Sequence, residues 1–221
     1  MTEQRARITP SLYAADPLHL ADALKAAVNA GADGLHFDVM DGVFVPEIGL
    51  NSLQLDAVLA ASELPVDVHL MTVESRRMAE AFARPGVRTI ILHPESQPVE
   101  ELQETLAAIR GEGRLAWLAL SPSTPVGIVD EFIGWLDGVL VMSCAPGQRG
   151  ANYIAATPQR IAALRRRVGP DVTIGVDGGL DDARGTVCIR AGADLLVIGR
   201  SFFKSRVSRP LQADALSFGE P

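Results

Sequence analysis

Eight short runs of β-branched and apolar residues alternate with stretches of helical periodicity along this 221-residue chain, and that alternation limits its fold more than any other feature. The runs cover residues 8–13, 34–39, 66–71, 89–93, 116–120, 138–142, 172–176 and 195–198. Between them, segments such as 18–30 and 158–168 repeat apolar residues at three- and four-residue steps, the spacing of one helix face. Strict strand–helix alternation requires a parallel sheet with right-handed crossovers. Eight units favour a single (β/α)₈ barrel of the TIM type over residues 1–221, a length near the lower end for that fold. An open doubly wound sheet is the alternative.

Bulk properties exclude several classes of function. Hydrophobic residues make up 48% and charged residues 21%, a balance that buries a large interior. The net charge of −7, with no basic run interleaved with aromatics, argues against a nucleic-acid surface. The polar start, Met1-Thr2-Glu3-Gln4-Arg5, leads into no signal-peptide core, and no apolar run approaches the roughly 20 residues of a membrane span. A cytoplasmic location is the default expectation. Cys144 and Cys188 lie in no Cys-x-x-Cys motif, so buried free thiols are expected rather than a disulfide. Any anionic ligand must be held locally, by backbone amides at helix starts and glycine-rich turns.

Two Ala-Gly-Ala-Asp segments, 30–33 and 191–194, each end a helix and lead into a strand. Glycine there supplies the left-handed helix end, and no chemistry is assigned to them. Near the other terminus, Pro210 could open a short helix through Leu216.

In such a barrel the reacting groups sit at the C-terminal ends of the strands. His36 and Asp38 are two apart on strand two and so point to the same side. With His69 from strand three and Asp177 from strand seven they form a set of two imidazoles and two carboxylates, suited to one divalent ion such as Zn²⁺, Fe²⁺, Mn²⁺ or Co²⁺. The bland alternative is four separate polar groups, each hydrogen-bonded in the core. Aspartates in apolar strands are costly to bury unpaired, and one cation would partner both.

These residues lie in motifs that resemble a known family. Ile8-Thr9-Pro10-Ser11, His36-Phe37-Asp38-Val39-Met40-Asp41-Gly42-Val43-Phe44-Val45-Pro46, Asp67-Val68-His69-Leu70-Met71, Val141-Met142-Ser143 with Pro146-Gly147, and Val176-Asp177-Gly178-Gly179 are similar, in order, to the motifs of ribulose-phosphate 3-epimerases. The resemblance runs from about residue 8 to 203. It implies a divalent metal held by His36, Asp38, His69 and Asp177, with Asp38 and Asp177 also moving protons. Epimerising carbon 3 of a 2-ketose removes the proton beside the carbonyl and returns one to the opposite face through an enediolate, which needs one ionised and one protonated carboxyl. Ser11 resembles the family serine near the substrate, although a turn-forming serine is equally in keeping. Met40, Met71 and Met142 resemble the methionines lining the reaction centre. Gly147 and Gly150 after strand six, Gly178 and Gly179 after strand seven, and Gly199 after strand eight are where backbone amides would approach a phosphate. The family also implies a homo-oligomer.

Two departures bear on the substrate. The family commonly shows Asn-Pro-Gly-Phe-Gly-Gly-Gln after strand six, whereas this chain reads Ala145-Pro146-Gly147-Gln148-Arg149-Gly150-Ala151, and Gly199-Arg200-Ser201 replaces the usual Gly-Ser. Arg149 or Arg200 could add a cation to the phosphate site, or simply be exposed. His93-Pro94-Glu95 resembles forms found in both pentulose and allulose-phosphate enzymes, so His93 either contacts substrate or finishes its strand. D-Ribulose 5-phosphate is the leading substrate, with D-allulose 6-phosphate or a tetrulose phosphate as the alternative. Related decarboxylases and synthases use a lysine in an Asp-x-Lys-x-x-Asp array, and no such lysine follows Asp38. A non-catalytic phosphate-binding barrel is the third reading.

Overall fold

A computed structural model describes residues 5–148 and 150–204. Eight strands, β1 (Arg7–Pro10), β2 (Leu35–Met40), β3 (Val66–Met71), β4 (Val87–Leu92), β5 (Leu115–Leu120), β6 (Gly138–Met142), β7 (Thr173–Asp177) and β8 (Leu195–Ile198), form one sheet in the order β1-β8-β7-β6-β5-β4-β3-β2. Every pairing is parallel. The helices are α1 (Leu20–Asn29), α2 (Ser52–Ala61), α3 (Ser75–Phe82), α4 (Val99–Gly111), α5 (Thr157–Val168), α6 (Asp182–Arg190) and α7 (Arg200–Lys204). The crossover from β5 to β6 is made by two 3₁₀ turns, Val126–Glu131 and Ile133–Trp135. This is the (β/α)₈ barrel expected from the alternation. The short helix expected after Pro210 lies outside the described residues, as does Arg149.

The ring is closed between β1 and β2 by a single bridge, Ser11 to His36. Beyond it the edge of β2 is satisfied by its own loop: Gly49 N–H donates to Met40 O at 3.1 Å and Leu50 N–H to Asp38 O at 2.9 Å. Only glycine fits at 49, because a Cβ there would lie 2.5 Å from Met40 N. β1 ends earlier than its apolar run suggests. Ser11 O accepts from Ala14 N–H at 3.1 Å, turning the chain into the 3₁₀ segment Leu12–Ala14. Similarly, α1 is preceded by a 3₁₀ turn, Pro17–His19, whose N-cap Asp16 accepts from Leu18 N–H.

Alternate side chains along each strand serve two cores. Phe37, Val39, Val68, Leu70, Ile90 and Leu92 face outward and pack with helix residues such as Leu55, Leu102, Leu106, Ile161 and Leu164. Ile91, Trp117, Ala119, Leu140, Met142, Leu195 and Val197 fill the barrel itself. The Trp117 indole lies against Gly138 and Gly175, where added Cβ atoms would come within 2.1 and 3.0 Å of it. That ring makes a solid floor under the C-terminal end of the barrel.

The two Ala-Gly-Ala-Asp turns have the structural role expected of them, with Gly31 and Gly192 at φ 69° and 111°. Their aspartates also clasp the neighbouring strand from below. Asp33 N–H donates to Ile8 O while its carboxylate accepts from Ile8 N–H, and Asp194 does the same with Ile174. Asp137 repeats the clasp on Ala116. These bonds set the register of three strands, and so the height at which their inward side chains emerge.

Candidate active site and metal centre

Inward positions of β2, β3 and β7 bring His36, Asp38, His69 and Asp177 to one place above the barrel floor. His36 Nε2 lies 3.1 Å from Asp38 Oδ1 and 3.4 Å from His69 Nδ1. His69 Nδ1 lies 3.2 Å from the same Asp38 oxygen. Asp177 Oδ2 stands 3.9 Å from His36 Nε2 and 4.0 Å from His69 Nδ1. All four ligand atoms fall within 4.8 Å of one another. Ligands that each sit about 2.0–2.2 Å from a single ion are separated by comparable distances, so two imidazole nitrogens and two carboxylate oxygens so placed fit one divalent cation of borderline softness. Both histidine side chains are closed to solvent, whereas Asp177 retains 17% exposure and is the open corner of the cluster.

The charges are unevenly distributed. Burial disfavours a charged His36, but the carboxylates of Asp38, Asp177 and Asp67 outweigh it and lift its pKa to about 9. Burial and the neighbouring His93 and His36 bring His69 down to about 4, against the pull of Asp38. The adjacent rings therefore favour one positive charge between them, on His36. Burial also works against Asp38, yet both imidazoles keep its carboxyl well below the usual range. Asp177 moves the other way: burial and the charge of Asp38 push it up, against His36. Two carboxyls at one site thus favour opposite protonation states.

Above the cluster opens a pocket of about 480 Å³. Its floor holds Ser11, Asp38 and Asp177, and Met40, Met71 and Met142 contribute to its wall. Gly147, Gly150, Gly178, Gly179, Gly199 and Arg200 all reach the same pocket at its rim. His36 and His69 do not line it and lie beneath, so His69 is placed to act through the cluster rather than by touching a pocket-bound molecule. Gly178, at φ 116°, has no room for a side chain, since a Cβ would meet Cys144 Sγ at 2.4 Å. Ser143 ties the loops after β6 and β7 together, its hydroxyl within 2.8 Å of Asp177 O and 2.5 Å of Gly178 O.

Several neighbours escape a reading of the sequence. Tyr153 and Arg184, both on the pocket wall, stack with the guanidinium 5.0 Å from the ring centroid, and Arg184 Nη1 donates to Gly179 O at 2.7 Å. No local pattern joins residues so far apart in the chain. Cys144 and Cys188 are free and buried as expected, but Cys144 also reaches the pocket. His93 closes its strand on the inward side and meets His69, with Nε2 atoms 2.9 Å apart. The sequence offered His93 as a candidate without choosing a role for it; the ring is fully buried and absent from the pocket lining.

Among the described residues no helix is long and apolar enough to cross a membrane. In overall shape the barrel is similar to a chain of the tryptophan synthase α₂β₂ complex from Pyrococcus furiosus, with a TM-score of 0.62 over 92% of this chain and 90% of that one. At 15% identity the likeness supports the fold alone. Sequence relatives are much nearer. The ribulose-phosphate 3-epimerase of Synechocystis sp. is 37% identical over 213 residues, 95% of this chain and 91% of that protein. The chloroplastic ribulose-5-phosphate-3-epimerase of Arabidopsis thaliana is 36% identical, covering 90% and 72%, and the ribulose-phosphate 3-epimerase of Bacillus subtilis is 36% identical, covering 89% and 92%. The sequence profile described as the ribulose-phosphate 3 epimerase family matches residues 7–203, and the chain belongs to that family of epimerases.

Proposed function

We propose that this chain inverts carbon 3 of a ketose phosphate, interconverting D-ribulose 5-phosphate and D-xylulose 5-phosphate, with Asp38 and Asp177 as the proton-transferring pair. The observation that carries this reading is the presence of two carboxyls on one pocket floor, pushed toward opposite protonation states. An inversion by proton transfer needs that pairing, with one group ready to take a proton and the other ready to give one. Asp38, ionised, takes the carbon-3 proton, and Asp177, protonated, delivers one to the opposite face. The two exchange roles when the reaction runs backwards.

The other residues prepare that exchange. Ser11 Oγ donates to Asp38 Oδ2 at 2.7 Å, orienting the carboxylate. Met40, Met71 and Met142 give the reacting carbon a polarizable wall that holds little water. His36, Asp38, His69 and Asp177 would hold one divalent cation, Zn²⁺, Fe²⁺, Mn²⁺ or Co²⁺, which supplies positive charge against the negative charge that develops on the ketone oxygen as the proton leaves. The phosphate is assigned to the rim formed by Gly147, Gly150, Gly178, Gly179 and Gly199, where Arg184 and Arg200 also reach the pocket.

The test is wash-in of solvent deuterium at carbon 3 of D-ribulose 5-phosphate, followed by NMR, using protein loaded with Fe²⁺, Mn²⁺ or Zn²⁺ beside a chelated control. Metal-dependent exchange with appearance of D-xylulose 5-phosphate is expected. A second substrate reading is favoured by Gln148 and Arg200 on the pocket wall, side chains that the family pattern does not place there. No exchange with the pentulose but exchange with D-allulose 6-phosphate or a tetrulose phosphate would select it, and binding without any exchange would reduce the chain to a phosphate-binding barrel.

A further inference from the structure

We propose that Glu95 and His93 act as positioning residues that set the tautomer of His69, holding its Nδ1 lone pair toward the cation site; this rests on the metal reading above. His69 turns Nδ1 toward Asp38 and His36 and Nε2 toward His93 Nε2, 2.9 Å away. The two rings lie nearly parallel, 5.1 Å between centroids and 21° between planes. On its far edge, His93 Nδ1 lies 3.3 Å from Glu95 Oε2 and 3.3 Å from Ser121 Oγ.

Each proton in this row is placed by the next group. A carboxylate only accepts, so His93 must carry its proton on Nδ1 to bond Glu95. With its proton on Nδ1, the ring presents a lone pair at Nε2. Two lone pairs cannot face each other at hydrogen-bond distance, so His93 favours the His69 tautomer with its proton on Nε2 and Nδ1 free for a cation, whereas the Asp38 carboxylate 3.2 Å from Nδ1 favours the reverse until a cation comes between them. A metal-bound histidine ordinarily gives its second N–H to a carboxylate, carbonyl or water; here a second imidazole stands between ligand and carboxylate.

The surroundings are built to keep Glu95 in this role. Burial opposes its charge, yet hydrogen bonds from His93 and Thr124 bring its pKa down to about 2. Thr124 Oγ1 donates to the other carboxylate oxygen. The loop carrying Ser121 and Thr124 is pinned from α5 by Arg160, which donates to the carbonyls of Ser121, Pro122 and Thr124 at 2.8–2.9 Å. Phe44 covers His93 with its ring centroid 4.9 Å away, closing off the pocket side.

Histidine-labelled full-length protein, metal-free and with one equivalent of zinc, gives the test by long-range proton–nitrogen NMR, with zinc affinity measured by competition against a chromophoric chelator. With zinc bound, the expected spectra place the proton on Nε2 of His69 and on Nδ1 of His93, and metal-free Glu95→Ala should shift His69 toward its Nδ1 tautomer relative to the metal-free parent. Glu95→Ala should weaken zinc binding about 10–100-fold, and Glu95→Gln should recover part of the loss because its amide oxygen still accepts from Nδ1–H. Thr124→Val removes one of the bonds that hold Glu95 and should weaken zinc binding by less than Glu95→Ala does, because Glu95 keeps its place beside His93. With zinc bound, a His93 proton on Nε2 in place of Nδ1, or Glu95→Ala binding zinc as tightly as the parent chain, would overturn the relay. A parent chain that takes no zinc would instead sink the metal reading, and an unchanged His69 tautomer between metal-free parent and metal-free Glu95→Ala would still overturn the relay.

Discussion

Ser11 Oγ donates to Asp38 Oδ2 at 2.7 Å, and this leaves Asp38 Oδ1 to face His36 and His69 at 3.1 and 3.2 Å. One carboxylate is thereby divided between a hydroxyl from β1's end and two imidazoles from β2 and β3. The same residue pair spans the seam between β1 and β2, where Ser11 also makes, with His36, the bridge that closes the ring. A hydrogen bond to a charged group contributes about 1.5–3 kcal/mol. Ser11→Ala should therefore lower kcat about 10–100-fold while zinc-loaded variant and parent hold the same amount of metal, measured by steady-state turnover beside metal content.

Asp177→Asn removes the carboxyl whose pKa burial raises, without changing side-chain volume. Asp177 sits at the end of β7 and is the most open member of the cluster, so the fold should be unaffected. Proton transfer by a positioned side chain contributes about 10²–10⁴-fold, and turnover should fall by at least that much. Circular dichroism and the thermal midpoint check the fold, and loss of deuterium exchange at carbon 3 checks the role.

The four-residue cluster was legible because strand geometry is periodic. His36 and Asp38 share a side by their two-residue spacing, and the barrel then brings His69 and Asp177 to the same end. Contacts made between loops carry no such period. Glu95 lies just past a proline from His93, but nothing local indicates that Thr124 and Arg160 hold the acceptor in place. The pairing of Tyr153 with Arg184 likewise depends on how the loop after β6 meets α6. The early end of β1 reflects competition: its apolar run continues, but a 3₁₀ bond to Ser11 O diverts the backbone.

Gly138→Ala should destabilise the barrel from inside. A Cβ at 138 would lie 2.1 Å from Trp117 Cε2 and 2.5 Å from Cδ2 and Nε1. The indole cannot swing toward β7, where Gly175 already allows no more than a hydrogen. Overpacking of this kind costs about 1–3 kcal/mol, read as a lower denaturant midpoint. Trp117→Phe in the same background should recover part of the loss, because contacting residues do not behave additively.

The last prediction concerns pH and the loop beside the site. Asp41 Oδ1 accepts from the amides of Val43 and Phe44 at 2.9 and 2.8 Å, and Oδ2 accepts from Val73 N–H at 2.8 Å. These bonds shape the segment that carries Phe44 over His93 and Val45 against Gly147, where a Cβ on the glycine would come within 2.6 Å of Val45. Burial works against the Asp41 charge, but the amides of Val73, Phe44 and Val43 lower its pKa. A carboxyl depressed on folding stabilises the protein fully above its unfolded pKa of about 3.9, and that contribution is lost as pH falls through the folded value. In Asp41→Asn one amide oxygen can still accept from Val43 and Phe44, but the amide nitrogen then faces Val73 N–H, donor against donor. The variant should be less stable by about 1–2 kcal/mol at pH 7. Urea midpoints of parent and variant, measured from pH 7 downward, should converge below about pH 4; a gap that stays constant would place the loss in the loop's packing rather than in the carboxylate's charge.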